Sequence, residues 1–433
     1  MAALPARVAF ATALAVFPGA LTAQQSQAAG LQPLCNGKDL AGWHGQREFD
    51  PAKWAALPVA ERTRFLADDA AAAAQHWQVV DGALVNDGQG PYLTTDREFG
   101  DAEYRLEYRT VAKADSGIYL RATPQVQIWD CTEAGGKWGS GADKGSGGLW
   151  NNEQHLRWPL VRADRPFGEW NTLRIEQLGE RTWVWFNDQL TVDGVVMENY
   201  WDRKRPHFPR GPLQLQTHGG EIRFRNLQAR DIPPAEANAR LAALDAKGFA
   251  PVFDGKTFSG WQGDTDSYEI VDGAIRCRPG KGGNVFTAAT YADFAARLQF
   301  RLPKGGNNGL AVRYGGQGDA AYAAMEIQVL DDSDPQYANL KPWQFHGSIY
   351  GLVPAQRGYL RPQGEWNFEE VVLQGTHVTV TLNGTTIVDA DLAAIAEPMD
   401  GHPHPGKDRK DGHFGFCGHN DPVEFRDLRI KPR

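Results

Sequence analysis

The 433-residue chain has little sulfur, four cysteines and four methionines, and no long basic run to offset a net charge of −8. The missing basic surface leaves no electrostatic footprint for nucleic acid or an anionic membrane. Beyond the N-terminal segment no apolar run approaches the ~20 residues that cross a bilayer, so no membrane span is expected. Cys35, Cys131, Cys277 and Cys417 allow three pairings in an oxidising compartment, one of them a bridge within each half, or else stay as four buried thiols. Aromatic side chains, by contrast, are plentiful. Fourteen tryptophans and twelve tyrosines point to stacking surfaces or a large aromatic core.

Arg7, the apolar stretch Val8 to Phe17 and the small residues ending at Ala23 or Ala28 read as a secretory signal peptide over residues 1–28. The expected location is therefore periplasmic or extracellular. Gln32-Pro33-Leu34 before Cys35 lacks the small residues of a lipidation site, so Cys35 is expected to pack or pair.

The length suits two domains of about 200 residues, and an internal repeat supplies them. Asn36-Gly37-Lys38 to Gly42-Trp43 recurs as Asp254-Gly255-Lys256 to Gly260-Trp261, and Val80 to Ala83 recurs as Val271 to Ala274. Ser116 to Arg121 matches Asn308 to Arg313, and Val126 to Asp130 matches Ile327 to Asp331. Gly168-Glu169-Trp170-Asn171 returns unchanged as Gly364-Glu365-Trp366-Asn367, and His218 to Asn226 aligns with His419 to Asp427. Matches that keep their order along the chain mark a duplication.

Between these landmarks apolar and polar residues alternate, as in Tyr104 to Arg109, His377 to Leu382 and Val423 to Lys431, which predicts strands with one buried face. Asn187-Asp188 and Asn383-Gly384 suit tight hairpins. The fold class is all-β: two tandem jelly-roll β-sandwiches, at 29–232 and 250–433, with a helical insertion over Val59 to Gln75 and a linker helix within 233–249 that opens on Pro-Pro.

The chemistry-bearing segment is Met325 to Asp332. On a strand, Glu326 and Gln328 share a face, and a bulge after Gln328 would bring Asp331 onto it. The spacing resembles the Glu-x-Asp-x-x-Glu strand of laminarinase-type retaining glycosidases, although Gln328 replaces the middle acid and Asp331 is shorter. Retaining hydrolysis needs carboxyl groups about 5–5.5 Å apart. The next loop adds His346 and Tyr350, both able to exchange protons. His419 recurs as His218 in the other copy, and Arg313 could hold a substrate hydroxyl or carbonyl. Glu365 sits in a repeated turn and reads as structural. The Gly-Lys-x-x-x-Gly-Trp openings lack the Lys-Ser/Thr ending of a phosphate loop. A divalent metal ion could be held by His402 and His404 with Asp400 and Asp408, or by Glu326, His346 or His419 converging in space.

The opening Gly-Lys-x-x-x-Gly-Trp, the Glu-x-Gln-x-x-Asp strand, the Gly-Glu-Trp-Asn turn, the Asn-Gly hairpin and the closing Phe-Arg-Asn/Asp-Leu strand together resemble the 3-keto-disaccharide hydrolase domain family, present twice. The resemblance implies a concanavalin-like jelly roll and cleavage of glycosides already oxidised at C3. A C3 ketone acidifies the hydrogen on C2, so a base can remove it while the C1 oxygen leaves, with water adding afterwards. In the second copy the resemblance suggests Glu326 or His346 as base, His419 or Tyr350 as acid, and Arg313 or a metal as electrophile.

The first copy has Gln125 where the second has Glu326, while Gln127 and Asp130 persist. It also brings Trp138, Trp150, Asn152, His155 and Trp158 in a Gly-rich stretch, which suits sugar binding or a domain interface, with His218 and Glu221 as candidates for a separate site. Three readings stand: an enzyme on oxidised glycosides acting through the second copy, a conventional retaining glycoside hydrolase, and a carbohydrate-binding protein without turnover.

Overall fold

The computed structural model describes residues 30–433, so the signal-peptide reading lies outside the described residues. The predicted alternation resolves into four antiparallel sheets, a large and a small one in each copy. In the first copy the large sheet runs Gln189–Val196, Arg181–Phe186, Asn171–Leu178, Ala102–Thr110, Ile222–Asp231, Ala83–Asn86, Trp77–Val80, with Gln32–Pro33 pairing on Ile222–Asp231. Its small sheet runs Trp43–Gln46, Tyr92–Phe99, Gly211–Leu215, Asp115–Leu120, Thr123–Trp129. The second copy repeats both orders strand for strand. Its small sheet is Trp261–Gly263, Gly282–Tyr291, Gly412–His419, Asn307–Tyr314, Met325–Leu330. Each core lies between a large and a small sheet, lined by residues such as Tyr104, Ile118, Val126 and Phe224 in the first copy and Phe300, Leu310, Ile327 and Phe425 in the second.

The local signals act as their chemistry requires. Asn187 and Asp188 adopt φ of 48° and 64°, and Asn383 and Gly384 adopt 50° and 82°, the positive values a two-residue hairpin needs. The inserted helix is Val59–His76, and its Asp69 accepts from the Arg47 backbone N–H at 2.8 Å, tying the insertion to the end of strand Trp43–Gln46. The linker helix is Pro234–Ala243, with proline in its first turn, where a missing N–H costs nothing. Ala237 and Leu241 on this helix pack with Leu178 and Ile232 of the first copy and Phe368 of the second.

All four cysteines are free thiols, which corrects the option of one bridge per half. Cys277 belongs to the core between the sheets, whereas Cys417 packs on the opposite face of its sheet with Phe286 and Ala311, so no bridge can join them.

Arg313, expected to touch substrate, is instead a structural clamp. It is 3% exposed and holds φ of 52°. Its guanidinium donates to the carbonyls of Ala292 (2.9 Å), Gly375 (2.8 Å) and Arg409 (3.1 Å) and to Asp293 (2.9 Å). Arg121 repeats the device, with φ of 53° and bonds to the carbonyls of Gly100, Gly179 and Phe208. Each clamp closes the strand that precedes the candidate site strand. Arg313→Met leaves buried carbonyls without donors, each worth about 1–3 kcal/mol. The second sandwich should therefore lose roughly 3 kcal/mol or more, read as a lower denaturant midpoint, and Arg121→Met should do the same to the first.

Candidate active site

Strand Met325–Leu330 pairs with Asn307–Tyr314 in unbroken register from Asn307 opposite Leu330 to Val312 opposite Met325. Alternation sends Met325, Ile327 and Val329 into the core and turns Glu326 and Gln328 to the outer face of the small sheet. Glu326 folds over Gly309, where any Cβ would collide with its carboxylate. The carboxylate is thus 4% exposed, and its Oε1 has no hydrogen-bond partner in the protein. Such an oxygen is costly to leave alone and is free to accept a hydrogen bond from a ligand.

Three groups frame it. His419, at the end of strand Gly412–His419, brings Nε2 to 3.7 Å from Glu326 Oε1 and keeps half its side chain exposed. The Glu326 carboxylate raises this imidazole above its ordinary pKa, against the opposing effect of burial. Gln328 donates to Asn307 Oδ1 at 2.7 Å. Tyr350 donates its backbone N–H to the Glu326 carbonyl at 2.9 Å, and its ring stands edge-on to Trp343. Burial raises the Tyr350 phenol, and the Glu326 charge adds to that, so the phenol stays a donor. The short helix Ala320–Ala323, capped by Asp319, roofs the apolar side of this face through Ala320, Ala323 and Ala324 against Phe286 and Cys417.

The other expected residues go elsewhere. No bulge follows Gln328, so Asp331 leaves the strand and is 3% exposed. It accepts from Gly305 N–H (2.8 Å), the Ser333 hydroxyl (2.6 Å) and Gln363 (2.6 Å), and so ties loops together. Asp130 does the same for Lys113 and Thr132. His346 is inside the sandwich, on the opposite side of the sheet from Glu326. It packs at a tilt against Phe300, accepts from Leu330 N–H at 3.3 Å and places Nε2 3.5 Å from Glu369. Burial depresses His346 to about 3 and pushes Glu369 up to about 8, so both sit neutral and neither serves the outer face.

In the first copy Asn152 is spent on backbone, donating to Leu156 and Val196 carbonyls and accepting from Glu198 N–H. His155 sits with Glu198 in that same loop (3.2 Å), not on the sheet face. Trp150 takes the place of Tyr350, since Gln127 N–H bonds to the Gly148 carbonyl as Gln328 N–H bonds to Ser348. His218 does reach the outer face, 2.9 Å from Asp115. Asn307 and Asp115 are the residues that sequence reading missed. They lie one position before the repeated Ser116/Asn308 segment, and alternation with Gly117/Gly309 places them on the site face.

Among the described residues no three His, Cys, Asp or Glu side chains converge as a metal ion requires. His346 cannot join Glu326 and His419, and His404 is engaged by the Ala321 carbonyl (3.1 Å) and Asp400 (3.0 Å). A cavity of about 960 Å³ is remote from this chemistry, on the outer face of the first large sheet, where Arg174, Arg230 and Arg240 are already paired with Glu103, Glu176 and Glu236.

A family model described as the 3-keto-alpha-glucoside-1,2-lyase-like domain matches residues 30–230 and again 248–431. The chain belongs to this family. A 3-keto-disaccharide hydrolase of Bacteroides thetaiotaomicron is 25% identical over 245 residues, 47% of this chain and 84% of that one. Two crystal structures of candidate glycosyl hydrolases from Parabacteroides distasonis are also similar. The first is 27% identical, covering 43% of this chain and 99% of that one with a TM-score of 0.39. The second is 23% identical, covering 44% and 95% with a TM-score of 0.37.

Two measurements check this geometry. Gly309→Ala displaces the Glu326 carboxylate, so the raised His419 pKa should fall back towards the ordinary imidazole value in an NMR titration, and Glu326→Gln should do the same. Glu369 binds its proton more tightly folded than unfolded, so its contribution weakens stability as pH rises from the ordinary carboxyl range towards 8. Glu369→Gln should accordingly gain stability over the parent at pH 8, with the gain fading by about pH 5.

Proposed function

We propose that the second copy cleaves 3-keto-glycosides by elimination followed by hydration, with Glu326 as base and His419 as acid. The observation that carries this reading is the buried Glu326 carboxylate with an unpaired oxygen 3.7 Å from a half-exposed imidazole. The family membership and the name of the Bacteroides relative supply the substrate class.

The residues suit each step. Glu326 takes the C2 hydrogen as a proton, the C–H electrons form the C1–C2 double bond, and the C1–O bond breaks. The departing oxygen receives the proton of His419, whose charged form the Glu326 carboxylate favours. Water then adds to C1, giving one proton to His419, while Glu326 returns its proton to C2, so the sum is hydrolysis. Gln328 and Tyr350 lie beside Glu326 and can donate hydrogen bonds to the C3 ketone oxygen as it gains charge. Arg313, His346 and Asp331 have no part in this scheme. A conventional retaining mechanism fits poorly, because Asp331, the second carboxylate that it would use, is committed to loop contacts.

The N-terminal pattern of Arg7, Val8 to Phe17 and Ala23 or Ala28 supports export to the periplasm or beyond. Secretion would bring the protein to extracellular glycosides.

The test is turnover of a 3-keto-glucoside by the purified protein. Glu326→Gln and His419→Ala should each lose about 10²–10⁴ in kcat, and a substrate deuterated at C2 should react more slowly. An unoxidised glucoside should not be cleaved. Full activity in Glu326→Gln, or equal cleavage of the unoxidised glucoside, would overturn the scheme.

A further inference from the structure

The duplication lets the two outer faces be compared position by position, and the carboxylate has changed places. Where the second copy has Asn307 and Glu326, the first has Asp115 and Gln125. Each copy keeps one acid at these two positions, and the repeated histidine finds it: His419 stands by Glu326, and His218 bonds Asp115 at 2.9 Å. Lys137 from the loop after Asp130 also contacts Asp115.

This exchange sets up a polarised chain of amides. Gln127 commits its Nε2 to Asp115 Oδ1 (2.9 Å), which turns its own Oε1 towards Gln125 Nε2 (2.8 Å). Gln125 is therefore oriented with Oε1 over Gly117, and that oxygen has no partner although the residue is only 5% exposed. One strand across, Gln216 donates to the hydroxyls of Tyr92 (3.3 Å) and Tyr119 (3.4 Å), and its Oε1 is likewise unpartnered at 6% exposure. Two buried amide oxygens without protein donors, on one face beside His218 and Lys137, are acceptors for the hydroxyl donors of a ligand. Trp150, in the place of Tyr350, offers an aromatic edge to the same face.

We propose that the first copy carries a second sugar site, in which hydroxyls of an uncharged pyranoside donate to Gln125 and Gln216 while His218 and Lys137 donate to its ring or hydroxyl oxygens. The site has no base to attack C2, because Gln125 cannot accept a proton and Asp115 is held by Gln127, His218 and Lys137. It retains glycosides without cleaving them. The choice of a sugar rests on the proposed activity of the second copy, but the site is independent of that activity.

The test uses the full chain and calorimetric titration with methyl α-glucoside, which the second copy is not expected to cleave, and with glucuronate as an anionic probe. Turnover of a 3-keto-glucoside is measured in parallel. Methyl α-glucoside should bind, Gln125→Leu and His218→Ala should each weaken it about tenfold or more, and both variants should keep the parent turnover and thermal midpoint. Glu326→Gln should leave binding intact. Binding that is unchanged in Gln125→Leu and His218→Ala, binding lost in Glu326→Gln, or preference for glucuronate would overturn the second site. Absence of turnover with this binding pattern intact would instead defeat only the proposed catalysis.

Discussion

Two buried arginines hold the architecture on which both faces depend. A guanidinium removed from water is expensive, and a non-glycine residue at positive φ adds strain of about 1–3 kcal/mol. Arg121 and Arg313 sustain both costs because three separate chain segments end their carbonyls at one point, and no other side chain could satisfy them together. The clamp fixes the end of the strand that carries Gly117 or Gly309, and with it the place where the facing side chain can fold over. Beyond the clamp the two copies diverge. The first turns directly through Ala122 into Thr123–Trp129, whereas the second spends Gly315 to Ala324 on a loop and short helix that roof its site.

Buried polar groups elsewhere in the copies have also been exchanged in sets. Ser146 accepts the Trp129 N–H where His346 accepts that of Leu330. Leu173 stands opposite Phe186 as Glu369 stands opposite Leu382, so the His346–Glu369 pair of the second copy replaces a serine and a leucine. The pair is neutral on both sides, which avoids the full cost of burying charge.

The repeat and the period-two pattern made the fold legible, and alternation within one strand placed Glu326 and Gln328 together. It could not place His346, because side-chain direction follows from period only inside a strand, and His346 lies in a loop that runs back alongside Met325–Leu330. Asp331 was drawn onto the face by a bulge that the register does not contain. Arg313 looked like a ligand-holding residue because its left-handed backbone has no sequence signal outside glycine and asparagine. The carboxylate exchange was hidden for another reason. Asp115 and Asn307 stand just outside the repeated segment, and their bonds to the cross-strand neighbours Gln127 and Gln328 tie each to the face of position 125 or 326.

The surroundings of the two acids complete the contrast. Glu326 has Ala311 opposite it and the apolar cluster of Cys417, Ala311 and Phe286 on its flank, a neighbourhood that offers its carboxylate few donors. At the matching strand positions the first copy has Gln216, Tyr119 and Thr94, and Asp115 receives three donors. A carboxylate satisfied in that way is a weak base and a good anchor. Removing a carbon-bound proton requires the first environment, and holding a hydroxylated ligand is served by the second. The same sheet thus supports different chemistry according to which of two adjacent strands carries the acid and what lies beside it.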